Sequence, residues 1–137
     1  MGDTKAVGRK VKVNQPAQAI YALFADLRHF AQNLPEDIKG KSDITFDADT
    51  LLAKVQGFEL GIKVEERNPF TYVRYVQYGS TPVNFDFWVR IEALSDSSCE
   101  LFLELDAQLG TMMKMMLGGK LQEAVDKLTD ELEKRLQ

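Results

Sequence analysis

The sequence contains one cysteine, one histidine and four prolines, and it carries no excess of positive charge. Cys99 cannot form an intramolecular disulfide, and one Cys with one His cannot build a Cys and His zinc cage, so neither a staple nor a metal or other cofactor is expected. Seventeen Lys and Arg stand against twenty-one Asp and Glu, a net charge of −4, which leaves no basic surplus to neutralise a nucleic-acid backbone. No run approaches the roughly 20 apolar residues of an integral membrane segment. The opening MGDTKAVGRK holds an acidic residue and no apolar stretch, unlike a secretory signal, and Ala6 stands where a myristoylation motif has Ser or Thr. A cytoplasmic location is the resulting expectation. Hydrophobic residues at 45% and charged residues at 28% are globular proportions, and 137 residues suffice for one core in a single domain spanning 1–137.

What the chain does have is alternation. Val7, Val11 and Val13 share one side of a first predicted strand, with Arg9 the exception among them. Gln15-Pro16 opens a helix carrying Ile20, Tyr21, Phe24 and Leu27, and a second short helix over Leu27–Asn33 ends before Pro35. Five or six strand-like runs follow, separated by turn chemistry at Asp47–Asp49, Gly57, Asn68-Pro69, Gly79–Pro82 and Ser95–Ser98.

Tight hairpins at these turns pair Ile62 with Val76, Val76 with Phe85, and Ile91 with Leu101. That register gathers Leu60, Ile62, Val64, Tyr72, Val76, Tyr78, Val83, Phe85, Phe87, Val89, Ile91, Leu101, Leu103 and Leu105 on one face. The segment Thr111–Gln137 supplies the cover, because Leu117, Leu121, Val125, Leu128, Leu132 and Leu136 recur at three- and four-residue steps.

This order, with stretches such as AIYALFADLRHF and MMKMMLGGKLQEAVDKLTDELEKRL, resembles the START-like or SRPBCC superfamily. The resemblance implies an α+β helix-grip fold: a curved antiparallel sheet of six to seven strands wrapped around a long C-terminal helix, with two short helices after strand 1. It also implies a cavity for a lipid, sterol, polyketide or other apolar ligand. It supplies no catalytic residue, because no subfamily's residue set maps onto this chain.

The same register puts Arg74 on the apolar face opposite Phe87, where a charge needs a partner. On that reading Arg74 anchors a ligand carboxylate or phosphate beside Tyr72 and Tyr78, with Phe85 and Phe87 as apolar walls. The alternative is that Val73, Tyr75 and Gln77 face inward instead, or that Arg74 snorkels at the sheet edge. Met112, Met113, Met115 and Met116 precede Gly118-Gly119, and two readings stay open: Met112 and Met116 line a cavity gated by a loosened helix, or the methionines fill core volume. Tyr75, Trp88 and Phe102 fall on the outer face, as a homodimer or partner surface or as a patch shielded by Lys63, Arg90 and Glu104. Binding of a hydrophobic or amphipathic small molecule is the favoured function. The alternatives are a cyclase or dehydratase that polarises a carbonyl with Arg74 and the tyrosines, and a protein-interaction module.

Overall fold

The chain runs β1 (Asp3–Val7), β2 (Val11–Val13), α1 (Ala17–Ala25), α2 (Leu27–Gln32), β3 (Asp43–Phe46), β4 (Thr50–Val55), β5 (Phe58–Asn68), β6 (Tyr72–Gln77), β7 (Asn84–Ser95), β8 (Ser98–Gln108) and α3 (Thr111–Leu136). These elements come from a computed structural model that describes residues 3–32, 43–55, 58–80 and 83–136. Expectations for Pro35, Gly57 and Thr81-Pro82, and for the side chains of Leu117 and Gly118, lie outside the described residues. The strands form one antiparallel sheet in the order β1-β8-β7-β6-β5-β4-β3, and β2 also pairs with β8. The expected order of elements is therefore observed, with eight strands among the described residues rather than six or seven.

The additional strand arises at Gly8. Ala6 pairs with Leu105 and Val11 with Leu101, so the chain places one more residue between β1 and β2 than β8 has opposite them. An inserted residue reverses the alternation. Ala6, Val11 and Val13 are consequently buried while Val7 is exposed, which corrects the expected grouping of Val7 with the inward valines. At the break, Gly8 donates to the Leu103 carbonyl at 2.8 Å, and a Cβ there would lie 2.8 Å from Thr129 Oγ1. Only glycine lets α3 approach this closely.

Helix α3 packs on β1, β2 and β8. Val125 and Leu136 are buried, and Leu121 and Leu132 pack against the core. Its flank is fastened by polar contacts. The Gln122 amide brackets Val7 on the edge strand, donating to its carbonyl at 2.9 Å and accepting from its N–H at 3.3 Å. Arg9 points outward and pairs with Asp130 at 2.7 Å and Glu133 at 3.0 Å. The helix is continuous through Gly118 and Gly119.

The register of β6 departs most from expectation. Tyr75 pairs with Val64 on one side and Phe87 on the other, and Arg74 pairs with Glu66 and Trp88. Gln77 rather than Val76 lies opposite Ile62, and Asp86 rather than Phe85 opposite Val76, a slip of one residue from the expected pairing; the bulge between Val64 and Glu66 then brings Glu66 opposite Arg74. Such a slip sends every side chain to the opposite face. Val73 and Tyr75 are buried, while Tyr72, Arg74 and Val76 lie on the outer face.

Candidate functional site

Helices α1 and α2 close one end of the sheet. Asp26 sits at their junction, accepts from the Arg28 N–H at 2.9 Å, and so caps α2. Hydrogen bonds from the Arg28 side chain and backbone hold its carboxyl down to about 2. Arg67 donates from Nε to the Ala25 carbonyl at 2.9 Å and pairs with Asp49 at 2.6 Å, tying the end of α1 to the β3–β4 turn. The Tyr75 hydroxyl donates to the Phe24 carbonyl. Burial pushes the phenol well above its ordinary pKa, so it stays protonated. These contacts satisfy carbonyls that a helix C-terminus leaves without intrahelical partners.

Between this end wall, the concave side of the sheet and α3 lies a cavity of about 350 Å³. Phe24 and Leu27 form its end, Leu51 and Ala53 come from β4, and Leu60, Gly61 and Ile62 from β5. The far wall is Tyr75, Phe85, Phe87, Val89 and Leu103, and α3 contributes Leu128 and Leu132. The Tyr75 and Phe87 rings meet at 5.9 Å in a tilted pair. Among these residues only Tyr75 carries a titratable group, and its proton is engaged. Among the described residues no cluster of three or more His, Cys, Asp and Glu is placed to hold a metal ion.

Of the expected ligand contacts, Phe85 and Phe87 line this cavity. Arg74 does not: it lies on the outer face, bonded to Asp86 at 2.7 Å and Glu66 at 3.4 Å. Tyr72 is beside it, donating to Glu66 at 2.5 Å. Tyr78 lies past the end of β6 and is 36% exposed. Met112 and Met116, 75% and 64% exposed, point to solvent from the side of α3 away from the sheet. They are 13 and 9 positions before the buried Val125, spacings that put them across the helix from it.

The expected partner surface also divides. Tyr75 faces inward, while Trp88 and Phe102 stay on the outer face. Arg74 and Arg90 lie over the Trp88 ring at 5.8 and 5.3 Å, and Arg90 is held by Glu104 at 2.8 Å. This places Trp88 beneath a layer of paired charges.

The sequence reading missed Leu51 and Ala53, and it put Tyr75 on the outer face with an inward position only as the alternative, whereas Tyr75 faces inward. The signal for Tyr75 was Arg74 itself, whose charge belongs with outer-face carboxylates rather than in an apolar wall. Replacing Tyr75 by Phe is expected to strand the Phe24 carbonyl and cost about 1–3 kcal/mol in chemical denaturation. An unchanged midpoint would show that the hydroxyl only fills space.

No known protein family's sequence profile matches the chain, and no curated protein matches its sequence. Solved structures similar to it include a START superfamily protein from Mycobacterium smegmatis, at 18% identity and TM-score 0.62 over 97% of each chain. A conserved protein from Geobacillus kaustophilus is 12% identical with TM-score 0.68, over 98% of this chain and 94% of that one. Norcoclaurine synthase from Thalictrum flavum, in complex with dopamine and hydroxybenzaldehyde, is 16% identical with TM-score 0.61, over 95% of this chain and 89% of that one. At such identities the likeness is one of backbone architecture. A curved antiparallel sheet around a long C-terminal helix, closed at one end by two short helices, is the START-like helix-grip fold, and this chain has it.

Proposed function

We propose that this protein binds a hydrophobic or amphipathic small molecule between the sheet and α3. The observation that carries the reading is the cavity of about 350 Å³ with walls of aliphatic and aromatic side chains. Its size falls within the range of small-molecule sites, about 300–1,000 Å³, and its apolar walls favour a ligand that leaves water by the hydrophobic effect. The similar structure of norcoclaurine synthase holds two small aromatic molecules, which supports the same use of this fold. Catalysis is the weaker reading. A cyclase or dehydratase needs a proton donor or acceptor within reach of its substrate, and Tyr75, the one titratable group among the described residues of the wall, spends its proton on Phe24.

Titration with the neutral dye 1-aminonaphthalene tests the proposal. Saturable, blue-shifted emission at one dye per chain is expected, and Leu128→Lys should weaken it at least tenfold by setting a charge at the wall. Native mass spectrometry and organic extraction of the purified protein should reveal an apolar adduct. Absence of both dye uptake and adduct would overturn the reading.

A further inference from the structure

The cavity has a direction. Leu60 and Leu128 line it while remaining 50% and 43% exposed, so they stand at its mouth. Phe24, Leu27, Tyr75, Val89 and Leu103 line it at 4% exposure or less, so they form its floor. The floor offers a ligand no free polar partner among these side chains, because the Tyr75 hydroxyl is already bonded to the Phe24 carbonyl. The charged anchor expected from the sequence is on the far side of the sheet, where Arg74 is neutralised by Asp86 and Glu66.

A buried hydroxyl or carboxylate without a partner is strongly disfavoured. Any polar group of an occupant is therefore confined to the end nearest water. We infer that the cavity takes ligands tail first: a single uninterrupted hydrocarbon segment reaches the Leu27 end, and the one polar group tolerated lies at the Leu60 and Leu128 mouth. Size follows from volume. An apolar cavity of about 150 Å³ accommodates benzene, so by proportion this one takes about 14 non-hydrogen atoms. The suitable chemical class is a medium-chain alcohol or acid, or a two-ring arene with one polar substituent, and molecules polar at both ends are rejected.

This inference rests on the binding reading, and one experiment separates their failures. Decan-1-ol and decane-1,10-diol fit the same length and differ at the terminus that would reach the floor. Calorimetric titration should show decan-1-ol binding at one per chain and the diol at least about tenfold weaker, because its second hydroxyl is buried unpartnered. Intermolecular NOEs in the decan-1-ol complex should connect the terminal methyl with Leu27 and Phe24, and the carbinol methylene with Leu60 and Leu128. Equal affinity for the diol, or the reverse NOE pattern with binding intact, overturns the orientation alone. Binding of neither alcohol, with no uptake of the neutral dye, overturns the binding reading and the orientation with it.

Discussion

Gly61→Ala is expected to destabilise the protein by about 3 kcal/mol, lowering the melting temperature by about 10 °C. The added methyl group is small, and its surroundings explain the size of the effect. A Cβ on Gly61 would run into the Tyr78 carbonyl oxygen and lie 2.6 Å from Leu52 Cδ2. Tyr78 itself donates to the Gly61 carbonyl at 3.0 Å, so the two backbones are pinned together where β6 turns towards β7. Backbone cannot rotate away as a side chain can, and relief requires β5 and β6 to separate. These strands carry Leu60, Ile62 and Tyr75 into the cavity wall. Gly119→Ala is the internal comparison. A Cβ at Gly119 meets nothing within 4 Å, and the residue lies in a continuous helix, so this change should stabilise by about 0.5–1 kcal/mol. Thermal melts of the two variants should move in opposite directions. Equal, small shifts would mean that the β6 to β7 turn does not press on Gly61 in solution.

The same turn shows why part of the fold was legible in the sequence and part was not. Strands β7 and β8 run 12 and 11 residues, and Ile91 stands opposite Leu101 as alternation predicts. A slip there would turn Val89, Ile91, Leu101 and Leu103 outward together, so hydrophobic burial fixes the register. Strand β6 reads YVRYVQ, with Tyr72 and Val76 on one parity and Val73 and Tyr75 on the other. Alternation cannot choose between two such faces. The choice is made by contacts across strands rather than by local pattern: Tyr75 meets Val64 and Phe87 on the inner face, and Arg74 meets Asp86 and Glu66 on the outer one, where the bulge after Val64 brings Glu66 opposite it. Helix α3 divides in the same way. Its buried stripe through Leu121, Val125 and Leu136 is a matter of spacing. The solvent-facing position of Met112 and Met116 was readable from the same helical wheel, whereas grouping them by proximity in sequence pointed the other way. An unfilled cavity leaves no mark on periodicity, since it depends on how far α3 stands from β4 and β5.

Ala53→Leu is expected to raise stability by about 1 kcal/mol while weakening binding of 1-aminonaphthalene at least tenfold. Ala53 lies in β4 opposite Leu60, and its methyl group faces the cavity. Leucine adds three carbons to a wall of hydrocarbon. At about 0.8 kcal/mol per buried carbon the transfer gain is about 2.4 kcal/mol. Ordering the longer side chain takes back about 0.5–1 kcal/mol, and incomplete burial near the mouth removes more. The same three carbons take about three of the roughly 14 atoms' worth of room, and a ligand that no longer reaches the floor loses the contacts made there. Most substitutions that weaken binding by deforming a site also weaken the fold. Opposite signs arise here because an apolar cavity held open forgoes packing energy, which the leucine recovers and the ligand then cannot. Denaturation midpoints and dye titration on one preparation measure both quantities. A fall in stability would mean that the β4 wall is already packed in solution. A rise in stability with unchanged affinity would place the dye elsewhere on the molecule.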